Sequence, residues 1–186
     1  MKIITGTAKG MNLETLEGET TRPTSQRVKE AVFSMLQFDI EGARVLDLFA
    51  GSGQLGLESL SRGAQKATFS DVSRDASDII IRNAKKSRLF EKCRISTCDY
   101  AQMIRGIAGK EQYDIIFIDP PYKLDCISDA LKKLCNANAI APNAFIVCES
   151  GSEDIFKGDE ELKAKFEVQK QARYSITYIT ILRPII

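Results

Sequence analysis

Val45-Leu46-Asp47-Leu48-Phe49-Ala50-Gly51-Ser52-Gly53-Gln54-Leu55-Gly56 is an apolar run that carries one carboxylate, turns through two glycines and enters a helical pattern. Glycines at a strand-to-helix turn let the backbone approach a ligand closely at a helix N-terminus. Gly51, Gly53 and Gly56 satisfy G-x-G-x-x-G, and Asp71 follows Gly51 by 20 residues. That spacing also suits a dinucleotide site, in which an acid holds the ribose. Asp47 separates the two readings. A carboxylate four residues before the glycines repels a pyrophosphate and attracts an ammonium or sulfonium ion. A role in capping the turn through backbone hydrogen bonds remains the alternative for Asp47.

Outward from this stretch, the pattern repeats strand and helix. Strands are predicted at 43–49, 67–70, 94–98, 113–118 and 144–148, and helices at 54–61, 73–89, 101–107 and 125–135. A helix capped by Thr24 or Ser25 precedes them and runs to Phe38, with Arg27 and Lys29 projecting from its first half. Residues 166–171 and 175–182 alternate as a closing antiparallel pair. Alternating strands and helices give a parallel sheet covered on both faces. The expectation is therefore an α/β, doubly wound, mostly parallel seven-stranded sheet. Such sheets bind ligands beyond the carboxyl ends of their strands, where Asp47, Asp71, Asp99 and Asp119 fall. Residues 2–16 alternate in short pieces around Gly6 and Gly10, read as a small β-hairpin outside the main fold. The division is an extension over 1–20 and a domain over 21–186.

Composition narrows the chemistry. The 186 residues suit one domain, with 44% hydrophobic and 27% charged residues and a net charge of +1. No apolar run approaches the roughly 20 residues of a bilayer span, and the first residues lack a secretion signal, so a cytoplasmic protein is expected. The chain has no histidine, which excludes Ser-His and Cys-His catalysis and thiolate-histidine zinc. Nothing suggests any other metal. The five cysteines form no C-x-x-C pair and read as small buried residues. Between Arg82 and Arg94 six basic residues face a single acid, Glu91. Such a run is an ordinary solvated helix face or a phosphate contact.

A second motif, Asp119-Pro120-Pro121-Tyr122, follows the apolar strand at 113–118. Two prolines fix φ and remove two donors, so the turn presents carbonyls without competing N–H groups. With Asp119 and the Pro120 carbonyl each accepting one hydrogen of an exocyclic base amine, its lone pair can face a methyl donor. Tyr122 offers a face on which an extruded base stacks. The motif does not choose between adenine and guanine.

On these residues the chain resembles the bacterial 16S ribosomal RNA guanine-N2 methyltransferases of the RsmD type, within the class I S-adenosylmethionine-dependent, Rossmann-like fold. The likeness covers Ile3-Ile4, Gly6, Lys9-Gly10, Thr21-Arg22-Pro23-Thr24, Arg27-Val28-Lys29-Glu30, the glycine stretch with Leu57-Glu58, Asp119–Tyr122 and Glu149-Ser150. Met11 and Gln26 depart from it, standing where the family often has a base and an acid. The resemblance implies S-adenosylmethionine as cofactor and no metal. It places the cofactor on Asp47, Phe49, Ala50, Gly51, Ser52, Gly53, Asp71, Val72, Asp99 and Tyr100. Catalysis would fall to Asp119, Pro120, Pro121 and Tyr122, and RNA contact to Arg22, Thr24, Arg27 and Tyr122. The implied partner is 16S rRNA, in a partly assembled small subunit, met by a monomer. Rival readings are an adenine-N6 methyltransferase, a nicotinamide-dependent oxidoreductase and a catalytically silent RNA-binding assembly factor.

Overall fold

The computed structural model describes residues 1–16 and 23–185, without the side chains of Pro23, Thr24, Ser25 and Tyr122. The described elements are α1 (Pro23–Met35), β1 (Arg44–Asp47), α2 (Gln54–Ser61), β2 (Lys66–Asp71), α3 (Arg74–Lys86), β3 (Cys93–Thr97) and α4 (Tyr100–Ile107). They continue through β4 (Tyr113–Ile118), α5 (Ile127–Asn136), β5 (Ile140–Ser150), α6 (Glu160–Lys163), β6 (Phe166–Tyr174) and β7 (Thr177–Pro184). The seven strands form one sheet in the order β3-β2-β1-β4-β5-β7-β6. β1 to β5 are mutually parallel, and β7 runs antiparallel to β5 and β6. The order reverses between β1 and β4, which opens a crevice beyond their carboxyl ends.

Because strand side chains alternate between faces, the central strands β1, β4 and β5, with β7, feed two cores. Val45, Phe69, Ile115, Phe117, Val147 and Ile179 pack under α1, α2 and α3. Leu46, Leu48, Ile116, Ile118, Ile146 and Cys148 pack under α4, α5 and α6. Both layers are fully buried, as the near-continuous apolar strands require.

Several expected boundaries move. α1 stops at Met35 and leaves Phe38 exposed, and α3 stops at Lys86, after which Arg88 takes a positive φ. β5 starts at Ile140, four residues early, because the register with β4 shifts between Tyr113 and Ile115, an irregularity that admits Pro142. Lys29 does not project. It is buried against Glu58, 3.1 Å away.

The N-terminal arm also differs from a free-standing hairpin. Its two halves pair as a hairpin, with the Lys2–Asn12 bridge flanked by bonds from Ile3 N to the Met11 carbonyl (3.0 Å), Gly10 N to the Ile3 carbonyl (2.9 Å) and Leu13 N to the Met1 carbonyl (2.7 Å). Ile3, Ala8 and Leu13, however, are buried in the core beneath α1 to α3. Glu58 on α2 organises the docking: its carboxylate accepts from Ile4 N (2.8 Å), Thr5 N (3.1 Å) and Arg62 Nε (2.8 Å), and pairs with Lys29. Ser61 accepts from Thr7 and Ala8 and donates to the Thr5 carbonyl. Gly6 lies at φ 87°, where a Cβ would stand 1.7 Å from the Ser61 carbonyl oxygen, so only glycine fits. The expected boundary near residue 20 lies outside the described residues.

Candidate active site

Strand ends and the loops that follow them enclose a cavity of about 980 Å³ at the β1/β4 crevice. That is the upper end of the range for small-molecule sites and admits a nucleoside-sized ligand. Asp47, Asp71, Asp99 and Asp119 all line it, with Lys123 as the one basic residue among the described lining residues. Four acids around one hollow disfavour a pyrophosphate and favour a cation.

Asp47 ends β1 on the face toward α2 and is 1% exposed. Oδ2 accepts from the Gly56 N–H at 3.3 Å, in the first turn of α2, while Oδ1 is buried with no hydrogen-bond partner among the described residues. Both readings of Asp47 thus have a place in the geometry, one oxygen capping and the other orphaned. Desolvation pushes its carboxyl up to about 7, the Gly56 N–H opposes the rise, and Asp71 adds to it. An orphaned buried acceptor costs free energy until a donor reaches it, and an ammonium or sulfonium suits it best.

The glycine turn is backbone-defined. Gly51 and Gly53 have φ of 51° and 77°, and Gly53 caps α2 without any side-chain bond. Asp71 holds the turn from β2: Oδ2 accepts from Gly51 N and Oδ1 from Ser73 N, each at 2.9 Å. A carboxylate has about four acceptor sites, which leaves capacity for two hydroxyls. Asp99 caps α4, accepting from Gln102 N at 2.7 Å while Gln102 accepts from the Asp99 N–H, a reciprocal capping box. Tyr100 packs tilted against Phe49 with centroids 5.4 Å apart and donates its hydroxyl to Asp129 at 2.7 Å, which fixes one wall. Val72 is 73% exposed at the mouth, an apolar side chain poised for a flat ligand.

Across the crevice, Asp119, Pro120 and Pro121 follow β4 and line the same cavity. Pro120 is buried and Pro121 exposed, with φ near −53°. Tyr122 opens a short 3₁₀ turn, and Asp125 ends it at φ 41°. The glycine turn and the proline turn, 66 residues apart in sequence, therefore face one space.

Of the residues expected to meet RNA, Arg27 is exposed on α1. Arg22 and the Thr24 side chain lie outside the described residues. The basic stretch spends much of its charge internally: Arg82 pairs with Glu14 (2.8 Å), Lys86 donates to the Asn12 carbonyl (2.8 Å), Arg94 pairs with Glu111 (2.5 Å) and Lys85 lies over the Phe90 ring. Sequence reasoning missed Leu16, Gln54, Leu55, Cys98, Lys123 and Leu124, which also line the cavity. Lys123 and Leu124 adjoin a motif already singled out. Leu16 had no local signal, because Asn83 carries the arm there, bonding both the N–H and carbonyl of Glu14 and the carbonyl of Ser52.

A sheet of this order, with a glycine turn after β1, an acid at the end of β2 and an Asp-Pro-Pro turn after β4, defines a class I S-adenosylmethionine-dependent methyltransferase. The solved structure of yhhF from Escherichia coli superposes with a TM-score of 0.85 at 27% identity, covering 99% of this chain and 97% of that one. The family model described as conserved hypothetical protein 95 matches residues 1–183, and the chain belongs to that family. A relative from Haemophilus influenzae, named ribosomal RNA small subunit methyltransferase D, is 33% identical over 81% of this chain and 78% of its own length. A more distant structure of the same fold, SMU.776, was solved with S-adenosylhomocysteine; it has a TM-score of 0.66 at 15% identity, over 81% of this chain and 49% of that one.

Proposed function

We propose that this protein transfers a methyl group from S-adenosylmethionine to the exocyclic N2 amine of a guanine in 16S rRNA, acting as a cytoplasmic monomer on a partly assembled small ribosomal subunit. The reading is supported by the names of the relatives and carried by one observation: the glycine turn with its buried acid and the Asp-Pro-Pro turn line a single cavity. S-adenosylmethionine supplies, when bound, a sulfonium-activated methyl group. Asp47 offers its orphaned oxygen to the positive end of that ligand, and the backbone of Phe49 to Gly53 lies along it. Asp71 accepts from ribose hydroxyls, Asp99 from the adenine amine, and Val72 and Tyr100 border the ring.

On the acceptor side, Asp119 and the Pro120 carbonyl each take one hydrogen of the guanine amine. The amine then pyramidalises and points its lone pair across the cavity. Pro121 keeps the turn rigid, and Tyr122 stacks on the extruded base, a contact worth roughly 1–3 kcal/mol. Asp119 or water takes the proton released. Positioning and electrostatic complementarity supply the acceleration. In this scheme Arg22, Thr24 and Arg27, at the start of the domain over 21–186 and next to the arm, meet RNA.

A nicotinamide-dependent oxidoreductase would have to place a pyrophosphate beside Asp47. Titration calorimetry separates the two. S-adenosylhomocysteine is expected to bind at micromolar concentration and NAD not at all; NAD binding without S-adenosylhomocysteine binding overturns the proposal.

A further inference from the structure

Beside the cofactor cavity lies a second, smaller hollow of about 90 Å³, between α1 and the sheet. Gln54, Leu55 and Asp119 line both spaces, so the two meet at the residue that receives the amine. The hollow has room for the edge of a base and not for a nucleoside. Its floor is Phe117, Val147 and Ile179, and its polar lining beyond Gln54 and Asp119 consists of Lys29 and Glu149. The Lys29 ammonium is committed to Glu58 (3.1 Å) and to the Lys2 carbonyl (3.0 Å). Glu149 stands near the end of β5, half-buried, on the strand paired with β4. The parallel register runs Phe117 to Val147 and Ile118 to Cys148. One step further it sets Asp119 beside Glu149, at the ~4.8 Å spacing of neighbouring strands.

Three bases carry an exocyclic amine that this turn could hold. Beside the amine, adenine and cytosine present a ring nitrogen with a lone pair. Guanine alone presents a ring N–H, at N1. A carboxylate accepts and does not donate when ionised, so an acid next to the amine-holding Asp119 attracts guanine and repels the other two. We propose that Glu149 selects the base: its carboxylate accepts the N1–H of a guanine whose N2 amine is held at Asp119. The inference rests on guanine as acceptor and adds the reason for it, which Asp119–Tyr122 does not contain. With about four acceptor sites on a carboxylate, Glu149 can serve N1–H alongside other bonds.

The discriminating probe is 2-aminopurine, which keeps the 2-amine of guanine, replaces N1–H by a lone pair and lacks the 6-oxo group, so the Glu149 variants below assign any loss to N1. 16S rRNA from cells lacking this protein, naked and in small subunits, is methylated by the wild-type enzyme and the acceptor mapped. The RNA is then rebuilt by splinted ligation with 2-aminopurine at that position. A site built around a hydrogen bond rejects an analogue lacking it by large factors, so kcat/KM should fall at least 100-fold. Glu149→Gln, whose amide rotates to donate, should narrow the ratio to tenfold or less, with S-adenosylhomocysteine affinity within a few-fold of wild type. Glu149→Ala should narrow it as well, through loss of guanine activity. Equal use of the two bases by wild type, which depends on no variant folding, overturns the inference. So does full discrimination by folded Glu149→Gln. A wild-type product other than N2-methylguanine overturns the functional reading and this inference with it.

Discussion

Asp47 illustrates how one side chain can be legible in sequence and still hold a surprise. An acid inside an apolar strand is visible from the letters alone; that one oxygen serves Gly56 while the other is orphaned is not. Burial pushes its carboxyl up to about 7, well above the ordinary carboxylate range. The native state therefore binds more protons than the unfolded state between about pH 4 and 7. By linkage, the contribution of Asp47 to ligand-free stability falls as pH rises through that window and levels off above it. A cationic ligand favours the ionised form, so its binding should release a proton below pH 7. The affinity of S-adenosylhomocysteine, which keeps the amino-acid ammonium, should strengthen as pH rises from 6 and level off above 7. The chain has no histidine to mimic this profile. Asp47→Asn should bind more weakly and without the slope. Calorimetry across pH 6–8 measures both, and a flat wild-type profile would remove Asp47 from cofactor binding.

Among the elements, the strands and helices were readable from period and caps, whereas the N-terminal arm was not. Ser73 caps α3 by accepting from Ala76 N as its position suggested. The central strands β1, β4 and β5 carried apolar runs, while the edge strands β3 and β6 showed only a weaker alternation. The arm alternates like a hairpin, but side chains of α2 and α3 hold it, and no local pattern names a partner 54 or 69 residues away. Lys29 reads as a projecting charge because helical period says nothing about buried ion pairs, and nothing in the sequence pairs it with Glu58. Glu58 is fully buried and serves two arm N–H groups, Lys29 and Arg62. Breaking a buried pair by removing one partner costs about 3–5 kcal/mol. Glu58→Ala should lose that much in urea unfolding and free the arm to proteolysis before the sheet opens. A loss below about 1 kcal/mol with an intact arm would mean that apolar burial of Ile3, Ala8 and Leu13 suffices to dock it.

At the scale of the whole molecule, the sheet and its ligand crevice followed from alternation of elements and from acids at the strand ends. The displaced start of β5 and the short α6 were hidden, the first because Pro142-Asn143 reads as a turn and the second because four residues carry too little period. The small hollow at Glu149 was hidden for a different reason: it exists only where α1 lies across β4, β5 and β7. Ligand binding should reach the whole chain. At 100 times its Kd a ligand adds about 2.7 kcal/mol, which for this size raises Tm by roughly 5–11 °C. S-adenosylhomocysteine should give that shift and NAD none; equal shifts would deny the cavity its selectivity for a cation. The most direct test follows the methyl group itself. Purified protein, isotopically labelled S-adenosylmethionine and 16S rRNA from cells lacking this protein are combined, and the nucleosides are resolved by mass spectrometry. The label should appear in N2-methylguanosine at one position, and Asp119→Ala should abolish it while leaving cofactor affinity within a few-fold. Label in N6-methyladenosine, or undiminished labelling by Asp119→Ala, would contradict the account.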